Sequence, residues 1–443
     1  MPALLLLPLL LCGAATAEAT AAGVYGHWRR DAQGLPSYVY TRDQLATATA
    51  SSVPPSSSAD ARHSTEHSFQ LGNDRVVLIG NNYGSFRLRA DEGGPKYLTG
   101  GWTENGGHQF GGGYGHLFSR GAKQAEKLLL SSYYSGGQRE RHFGIGYARS
   151  TPHGNGFAAT HTAAVPVGDD PVVLLQVDVR HSGNRSKGRQ RLAWREVWGS
   201  LMMHLDPAWS HTANRSTFTA THYLSRWSLA AGNQSLIHRR KWLGLTAAEA
   251  KHLRTGYTNP TPKGGSMWDQ SPPAPFLAVV TCDGSIRNMT TVMANDAAAY
   301  FAGGTASTPS ERASLVFNPA VGEPDAALIA ATSFDLAPGE TARLCYIYGY
   351  LPSSGADDDQ MREVSRLIEK FRPMLTAAEG IAANVSNEWK RVLPVASVPS
   401  KPWLGDEMRW HAYYLRGGLT FDTFYNEYIL DQGTAYRYRC VYR

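Results

Sequence analysis

A dense group of aromatic and polar side chains offers the clearest chemistry in the sequence. Residues 410–438 read WHAYYLRGGLTFDTFYNEYILDQGTAYRY. Aromatic ring faces stack on the apolar C–H face of a pyranose, while carboxylates and amides hydrogen-bond its hydroxyls. The stretch is therefore compatible with a sugar-binding surface. Its candidate stacking rings are Trp410, Tyr413, Tyr414, Phe424, Tyr425, Tyr428 and Tyr436.

The same residues have a structural alternative. Trp410, Tyr413 and Tyr414 recur at the spacing of one helix face, and such a stripe commonly packs into a core. Both interpretations stay open from the sequence. Asp422 and Glu427 could be a carboxylate pair for glycosidic chemistry, but residues five apart do not share a helix face well. We therefore assign no catalytic residue, and the catalytic group stays unknown.

Length and charge exclude some classes of protein. The chain has 443 residues, of which 42% are hydrophobic, enough for sizeable cores in two or three domains. Its formal net charge of +6 comes from scattered Arg and Lys. A nucleic-acid-binding protein would cluster them on one patch, so no nucleic-acid partner is indicated.

The amino-terminal residues have the pattern of a secretory leader. Residues 1–17 (MPALLLLPLLLCGAATA) are an apolar run too short to span a bilayer, and they end in a small-residue A-x-A-like site. The pattern predicts a cleaved signal peptide and a protein that is secreted or lies in the secretory-pathway lumen. No other stretch is long and apolar enough to cross a membrane, so no membrane partner is expected.

Secretion gives meaning to the sequons and the cysteines. Cleavage of the leader leaves Cys282, Cys345 and Cys440, an odd number for an oxidising compartment. Cys282 and Cys345 lie in apolar strand-like segments and could pair or simply be buried. Cys440 is the expected unpaired thiol. Five asparagines lie in N-x-[ST] sequons and are candidate glycosylation sites: Asn184, Asn214, Asn233, Asn288 and Asn384.

The middle of the chain predicts a mainly β structure. Between residues 68 and 350, short β-rich runs such as VVLLQVDV and RLAWREVWG alternate with turn residues, which is typical of a large antiparallel β-sandwich. The glycine-rich segment at residues 106–115 lacks the features of a phosphate loop and predicts a wide loop between strands. His63 and His67 have helical ligand spacing, but no third ligand is in view, and no metal site is predicted.

After residue 357 the sequence pattern becomes typical of helices. Apolar residues recur at three-to-four spacing behind an acidic first turn, with Pro373 expected to interrupt the helix. After a proline-rich bridge, Gly405 and Asp406 predict the N-cap of another helix, which Gly417 and Gly418 end. We divide the chain into a signal peptide (1–17), a β-sandwich domain (23–350), a helical linker (357–400) and a further helical part (401–443).

Several segments together resemble the cellobiose-phosphorylase-like family of carbohydrate-active proteins. They are HWRRDAQGLPSYVY at 27–40, NNYGSFRLR at 81–89, FGIGYAR at 143–149, RLAWREVWG at 191–199, and the W-x-x-Y-Y-L and L-D-Q-G-x-A-Y-x-Y motifs after residue 409. The resemblance implies a mainly β fold: a large antiparallel β-supersandwich of the carbohydrate-binding type at residues 23–350, followed by a helical linker and the first helices of an (α/α) six-hairpin toroid. Residues 401–443 would then be the start of a truncated toroid, the family's catalytic domain.

The resemblance also implies a function. Such proteins are glycoside phosphorylases or hydrolases of β-linked gluco-oligosaccharides, and inorganic phosphate is the co-substrate of the phosphorylases. It implies no other cofactor, an oligosaccharide or polysaccharide partner, and a possible homodimer. The residues implied to bind substrate are Trp410, Tyr414, Asp431, Gln432 and Tyr436.

One departure from the family leaves a second hypothesis open. The Arg-Asp segment that carries the family's catalytic acid is not found after the aromatic run, so we expect the 443-residue chain to lack glycosidic activity. The alternative is a non-catalytic secreted β-sandwich protein that binds glycans or a protein partner.

Overall fold

The structure of the chain is a computed structural model. It describes residues 26–40, 68–81, 84, 86–92, 96–99, 112–120, 125–131, 139–183, 188–204, 222–230, 232, 234–244, 247, 272–282, 286–301, 315–323, 325–352, 356–395, 397–423, 426–431 and 439–440.

The described residues are mainly β, as the sequence predicts. The strands are β1 (Gly26–Arg30), β2 (Pro36–Tyr40), β3 (Ser68–Gly72), β4 (Val76–Asn81), β5 (Phe86–Ala90), β6 (Lys96–Tyr97), β7 (Gly113–Arg120), β8 (Ala125–Leu130), β9 (Arg139–Gly144), β10 (Tyr147–Gly154), β11 (Phe157–Ala164), β12 (Val172–His181), β13 (Gln190–Gly199), β14 (Met203–His204), β15 (Tyr223–Ala230), β16 (Ser235–Trp242), β17 (Ala274–Val280), β18 (Arg287–Asp296), β19 (Ala326–Leu336), β20 (Thr341–Leu351), β21 (Leu419–Asp422), β22 (Glu427–Asp431) and β23 (Arg439–Cys440). The helices are α1 (Ala297–Phe301), α2 (Asp357–Thr376), α3 (Ile381–Val392) and α4 (Pro402–Gly417).

Two large antiparallel sheets form the sandwich. The first has the strand order β1-β2-β9-β10-β11-β12-β20-β17-β16-β15. The second has the order β14-β6-β5-β7-β13-β19-β18, with β4 pairing with β3 and β5 and β8 pairing with β7. Strands β21 to β23 form a small third sheet.

The two large sheets pack face to face through apolar and aromatic side chains. The Trp198 ring on β13 stacks on the Tyr348 ring of β20, with ring centroids 4.0 Å apart. The Tyr346 hydroxyl on β20 donates a hydrogen bond of 3.1 Å to Thr332 Oγ1 on β19. Residues of both sheets belong to one core cluster. Burial of this apolar surface is the main force that holds the sheets together.

The expected wide loop at residues 106–115 is wrong for its last three residues, which lie in β7. Gly113 and Gly115 sit where the indoles of β13 need room. A Cβ atom on Gly115 would lie 1.9 Å from Trp194 Cζ2, and one on Gly113 would lie 2.3 Å from Trp198 Cδ2. These glycines therefore allow close approach of two large rings rather than a turn.

Helix α2 continues through Pro373 and ends at Thr376, so the expected interruption is wrong. Pro373 is exposed and lies in the last turn, where water can satisfy the carbonyl that loses its partner. Helix α4 begins at Pro402 rather than at the predicted Gly405–Asp406 cap, because proline suits the first helical turn. It ends at Gly417, as predicted.

The linker helices α2 and α3 pack directly on the first sheet. The Ile381 backbone N–H donates to Gln176 Oε1 at 3.0 Å, and Arg343 Nη1 donates to the Ala377 carbonyl at 2.8 Å. The Trp389 indole is 1% exposed and donates to the Val165 carbonyl at 3.1 Å. The helical segment thus shares its core with the sandwich, while the division of the chain into domains stays a prediction.

Of the two possibilities for Cys282 and Cys345, the structure has the disulfide. It joins β20 to the residues that follow β17, with the Cα atoms 5.9 Å apart. The side chain of Cys440 lies outside the described part of the structure.

Candidate functional site

Helix α4 and edge strand β1 bring two tryptophans together. On β1, Trp28 and Arg30 lie on one face because side chains alternate along a strand. On α4, Asp406 and Trp410 are four residues apart and share a helix face. Trp28 contacts Trp410, and Arg30 contacts Asp406.

The tryptophans form a partly exposed aromatic corner. The Trp28 and Trp410 ring centroids are 4.7 Å apart with an interplanar angle of 82°, an edge-to-face contact. Tyr38 on β2 supports Trp28 at 5.3 Å. Trp28 is 41% exposed and Trp410 is half-buried. An edge-to-face pair leaves ring surface open to a stacking ligand. We call Trp28 and Trp410 the aromatic platform.

Charged groups border the platform. Arg30 Nε donates to Asp406 Oδ2 at 3.0 Å. The next residue after each of Asp406 and Trp410 belongs to a second pair on the exposed side of α4, in which His411 Nε2 and Glu407 Oε1 are 3.0 Å apart. Guanidinium and carboxylate groups are strong hydrogen-bond partners for hydroxyls. The platform therefore combines a stacking surface with polar groups, the pattern expected of a sugar site.

A third tryptophan lies on the same helix. Trp403 is seven residues before Trp410, two turns earlier on the same side of α4, and is 60% exposed. The spacing puts its Cα about 10 Å from that of Trp410 along the helix axis. The aromatic surface thus extends along α4 beyond a single ring.

Tyr414 packs α4 against the sandwich. Its ring is half-buried and lies 5.4 Å from the Trp410 ring. Gln70 Nε2 donates to the Tyr414 backbone carbonyl at 3.4 Å. Burial raises the pKa of Tyr414 to about 12, and a hydrogen bond with the Gln70 backbone offsets part of that effect. A role of Tyr414 in sugar binding stays a prediction.

The structure does not describe the side chains of the other three residues predicted to bind substrate, Asp431, Gln432 and Tyr436. Asp431 ends strand β22, and only its backbone is described. Gln432 and Tyr436 lie outside the described residues, as do His63 and His67.

Asp422 and Glu427 are cross-strand partners of the β21–β22 hairpin rather than residues of one helix. Helical spacing was therefore the wrong geometry for judging this pair. Asp422 is fully buried, whereas Glu427 is exposed. The two carboxyl groups lie in different environments, and we assign neither to catalysis.

The end of α4 is fixed to the second sheet by a close backbone approach. A Cβ atom on Gly72 of β3 would lie 1.8 Å from the Gly417 carbonyl oxygen. Nearby, Arg416 Nη2 lies 2.5 Å from Asp74 Oδ1, and the Phe421 backbone N–H donates to the Asp74 carbonyl at 2.8 Å. These contacts set the position of Trp410 relative to Trp28.

We expect Gly72→Ala to destabilise the fold by about 1–3 kcal/mol, because the added methyl group forces strand β3 and helix α4 apart. Thermal unfolding followed by circular dichroism measures the effect. Gly322→Ala is the matched control, since a Cβ atom there meets nothing within 4 Å. Equal melting temperatures for the two variants would contradict the close approach.

Sequence reasoning missed Trp28 as a site residue. The segment at residues 27–40 contributed to the family resemblance, and nothing in it indicates that β1 meets the helix that begins at Pro402. The signal that the sequence offered was a tryptophan followed by two arginines, Arg29 and Arg30, and its exposure at the edge of a sheet is a property of the tertiary structure.

The described part of the chain contains neither a cluster of metal-ligating residues nor a helix that could cross a membrane. Its His, Cys, Asp and Glu side chains form no group of three or more that could hold a metal ion. None of its helices is both long and apolar enough to cross a membrane.

Comparison with known proteins gives only weak similarity. The sequence matches no family profile and no curated protein. One solved structure that it resembles is a protein from the human microbiome provisionally described as a kojibiose phosphorylase, with 7% identity, a TM-score of 0.44, and coverage of 86% of this chain and 41% of that one. Another is the heparan sulfate lyase HepC from Pedobacter heparinus, with 7% identity, a TM-score of 0.26, and coverage of 66% and 36%. The chain thus spans less than half the length of either protein.

Proposed function

We propose that this chain is a carbohydrate-active protein of the secretory pathway that binds an oligosaccharide at the aromatic platform. One observation carries the proposal: the Trp28 ring, 41% exposed, is held edge-to-face against Trp410 beside the Arg30–Asp406 ion pair. Stacking on the open ring surface would desolvate the apolar face of a pyranose, and the charged pair would take hydroxyls at its rim.

The proposed ligand class is a linear gluco-oligosaccharide with β linkages. Support comes from the sequence resemblance to cellobiose-phosphorylase-like proteins and from the extended aromatic surface. Trp403 lies two helical turns from Trp410, so a ligand longer than one sugar ring could contact both. Phosphorolysis, with inorganic phosphate as co-substrate, and hydrolysis both remain proposals for this class.

A second candidate is binding without catalysis. Asp406 accepts a hydrogen bond from Arg30, and Glu407 pairs with His411, so these two carboxylates of α4 already have partners. Glycosidic cleavage needs one carboxylic acid at the leaving oxygen and a second group on the opposite face. Among the described residues, the ion pairing of these two carboxylates supports a binding role for this part of the chain.

We expect Trp28→Ala to weaken oligosaccharide binding about tenfold, because loss of one stacking ring costs about 1.4 kcal/mol. Isothermal titration calorimetry with a panel of β-linked gluco-oligosaccharides measures the affinity. Trp28→Phe keeps a ring face and is expected to keep most of the binding. Adding inorganic phosphate and assaying sugar 1-phosphate and reducing ends separates phosphorolysis, hydrolysis and binding alone.

The control is Tyr428→Ala, which removes another exposed ring, 46% exposed, from strand β22. An equal loss of affinity in the two alanine variants would show that the loss is not specific to the platform and would contradict the proposed site. Failure of the wild-type chain to bind any member of the panel would refute the proposed ligand class.

A further inference from the structure

We propose that Asn288 carries an N-linked glycan that shields the exposed edge of strand β18, whereas Asn384 stays unmodified in the folded protein. These are the two sequon asparagines that the structure describes, because Asn184, Asn214 and Asn233 lie outside the described residues. Asn288 is exposed and its Nδ2 has one hydrogen-bond acceptor, whereas Asn384 is half-buried and its Nδ2 has two, a difference that the sequence pattern alone does not show.

Asn288 is presented to solvent at the start of β18. It is exposed, and its backbone φ of 53° lies in the left-handed region, where asparagine is tolerated. The β18–β19 register shifts between Arg287 and Thr290, so Asn288 lies at an irregularity. Its Nδ2 donates a hydrogen bond to Asp335 Oδ2. A glycosylated amide nitrogen keeps one hydrogen, so this bond and the glycan are compatible.

Among the described strands, β18 pairs on one side only, with β19. It ends the strand order of the second sheet as far as the chain is described. Asn288, Thr290 and Val292 alternate along it as exposed residues, and Val292 is 46% exposed. An edge with exposed β-branched side chains is prone to pair with another copy of the chain. A bulky, hydrated glycan near the start of β18 would block the pairing of this edge with another copy of the chain.

The Asn384 side chain makes hydrogen bonds that hold the two linker helices together. It lies inside helix α3, and its Nδ2 donates to the Gly380 carbonyl at 3.1 Å and to the Met374 carbonyl at 3.3 Å. Both amide hydrogens are therefore used, and a glycan would replace one of them. The bonds tie the start of α3 to the end of α2, so modification would disturb that junction.

The hydroxyl residue of the Asn384 sequon, Ser386, is also inaccessible. Ser386 is fully buried, and its Oγ donates to Asp31 Oδ2 at 2.8 Å, joining α3 to the β1–β2 turn. The hydroxyl residue of the Asn288 sequon, Thr290, is exposed. A molecule glycosylated at Asn384 would lose packing between α3 and the first sheet, and we expect it to be absent from the secreted pool.

Occupancy is measured on the full chain secreted from a eukaryotic host. Release of glycans with peptide-N-glycosidase in H₂¹⁸O marks each occupied asparagine with a mass tag. We expect the tag at Asn288 and none at Asn384. Thr290→Ala is expected to abolish the Asn288 tag, and the matched variant Thr290→Ser, which keeps the sequon, is expected to retain it. An untagged Asn288 or a tagged Asn384 in the secreted protein overturns the assignment.

Shielding of the edge is measured by size-exclusion chromatography with light scattering. We expect Thr290→Ala to self-associate at concentrations where Thr290→Ser stays unassociated. Adding Val292→Lys to Thr290→Ala is expected to reverse the association, since an edge lysine opposes strand pairing. Identical elution of all three proteins would overturn the shielding role. None of these readouts depends on sugar binding at the aromatic platform.

Discussion

A chain with both Cys282→Ala and Cys345→Ala is expected to unfold with a free energy about 4 kcal/mol lower than that of the wild type. The disulfide joins residues 63 positions apart, and closing a loop of that length removes much of the conformational entropy of the unfolded chain. Cys345 is also 1% exposed, under the linker helices, so the change disturbs a packed core. Guanidinium denaturation followed by circular dichroism gives the two free energies.

The control for the disulfide is Cys440→Ala, which leaves the Cys282–Cys345 bond intact and is expected to keep wild-type stability. Reductant is expected to destabilise the wild type and Cys440→Ala alike, and to leave the double variant unchanged. If reductant lowered the stability of the double variant as well, a different disulfide would be the stabilising one.

Glu196→Ala is expected to cost about 3–5 kcal/mol, because it breaks a buried polar network at the centre of the sandwich. The Glu196 carboxylate is fully buried and accepts the indole N–H of Trp194 at Oε2 and of Trp198 at Oε1, each at 2.9 Å. His161 Nε2 on the facing sheet lies 3.2 Å from Oε1. Alanine leaves these groups buried without their acceptor.

Glu196→Gln tests the geometry of that network. Glutamine keeps one carbonyl oxygen but turns an amide N–H₂ toward an indole N–H, so we expect a smaller loss than for alanine, about 1–3 kcal/mol. Glu407→Gln, which changes an exposed carboxylate paired with His411, is the matched control and is expected to change stability by less than about 0.5 kcal/mol. Equal costs for Glu196→Ala and Glu407→Gln would mean that the network adds nothing to the fold.

Local patterns in the sequence determined much of this protein's secondary structure. Alternating and apolar runs such as VVLLQVDV became strands, since the side-chain period of a strand is set by neighbouring residues. The three-to-four spacing after residue 357 became helix α2, and the glycine pair at 417–418 ended α4. Glycine conformations and helical faces are local properties, so they can be predicted before any fold is known.

Tertiary structure decided which residues meet. The pairing of Trp28 with Trp410, the choice between pairing and separate burial of Cys282 and Cys345, and the placement of Asp422 opposite Glu427 all depend on sheet order and strand register. Pro373 within α2 and Gly115 within β7 depend on solvent exposure and on a neighbouring indole. These outcomes follow from contacts between segments distant in sequence, which hydrophobic burial selects jointly and which no local pattern encodes.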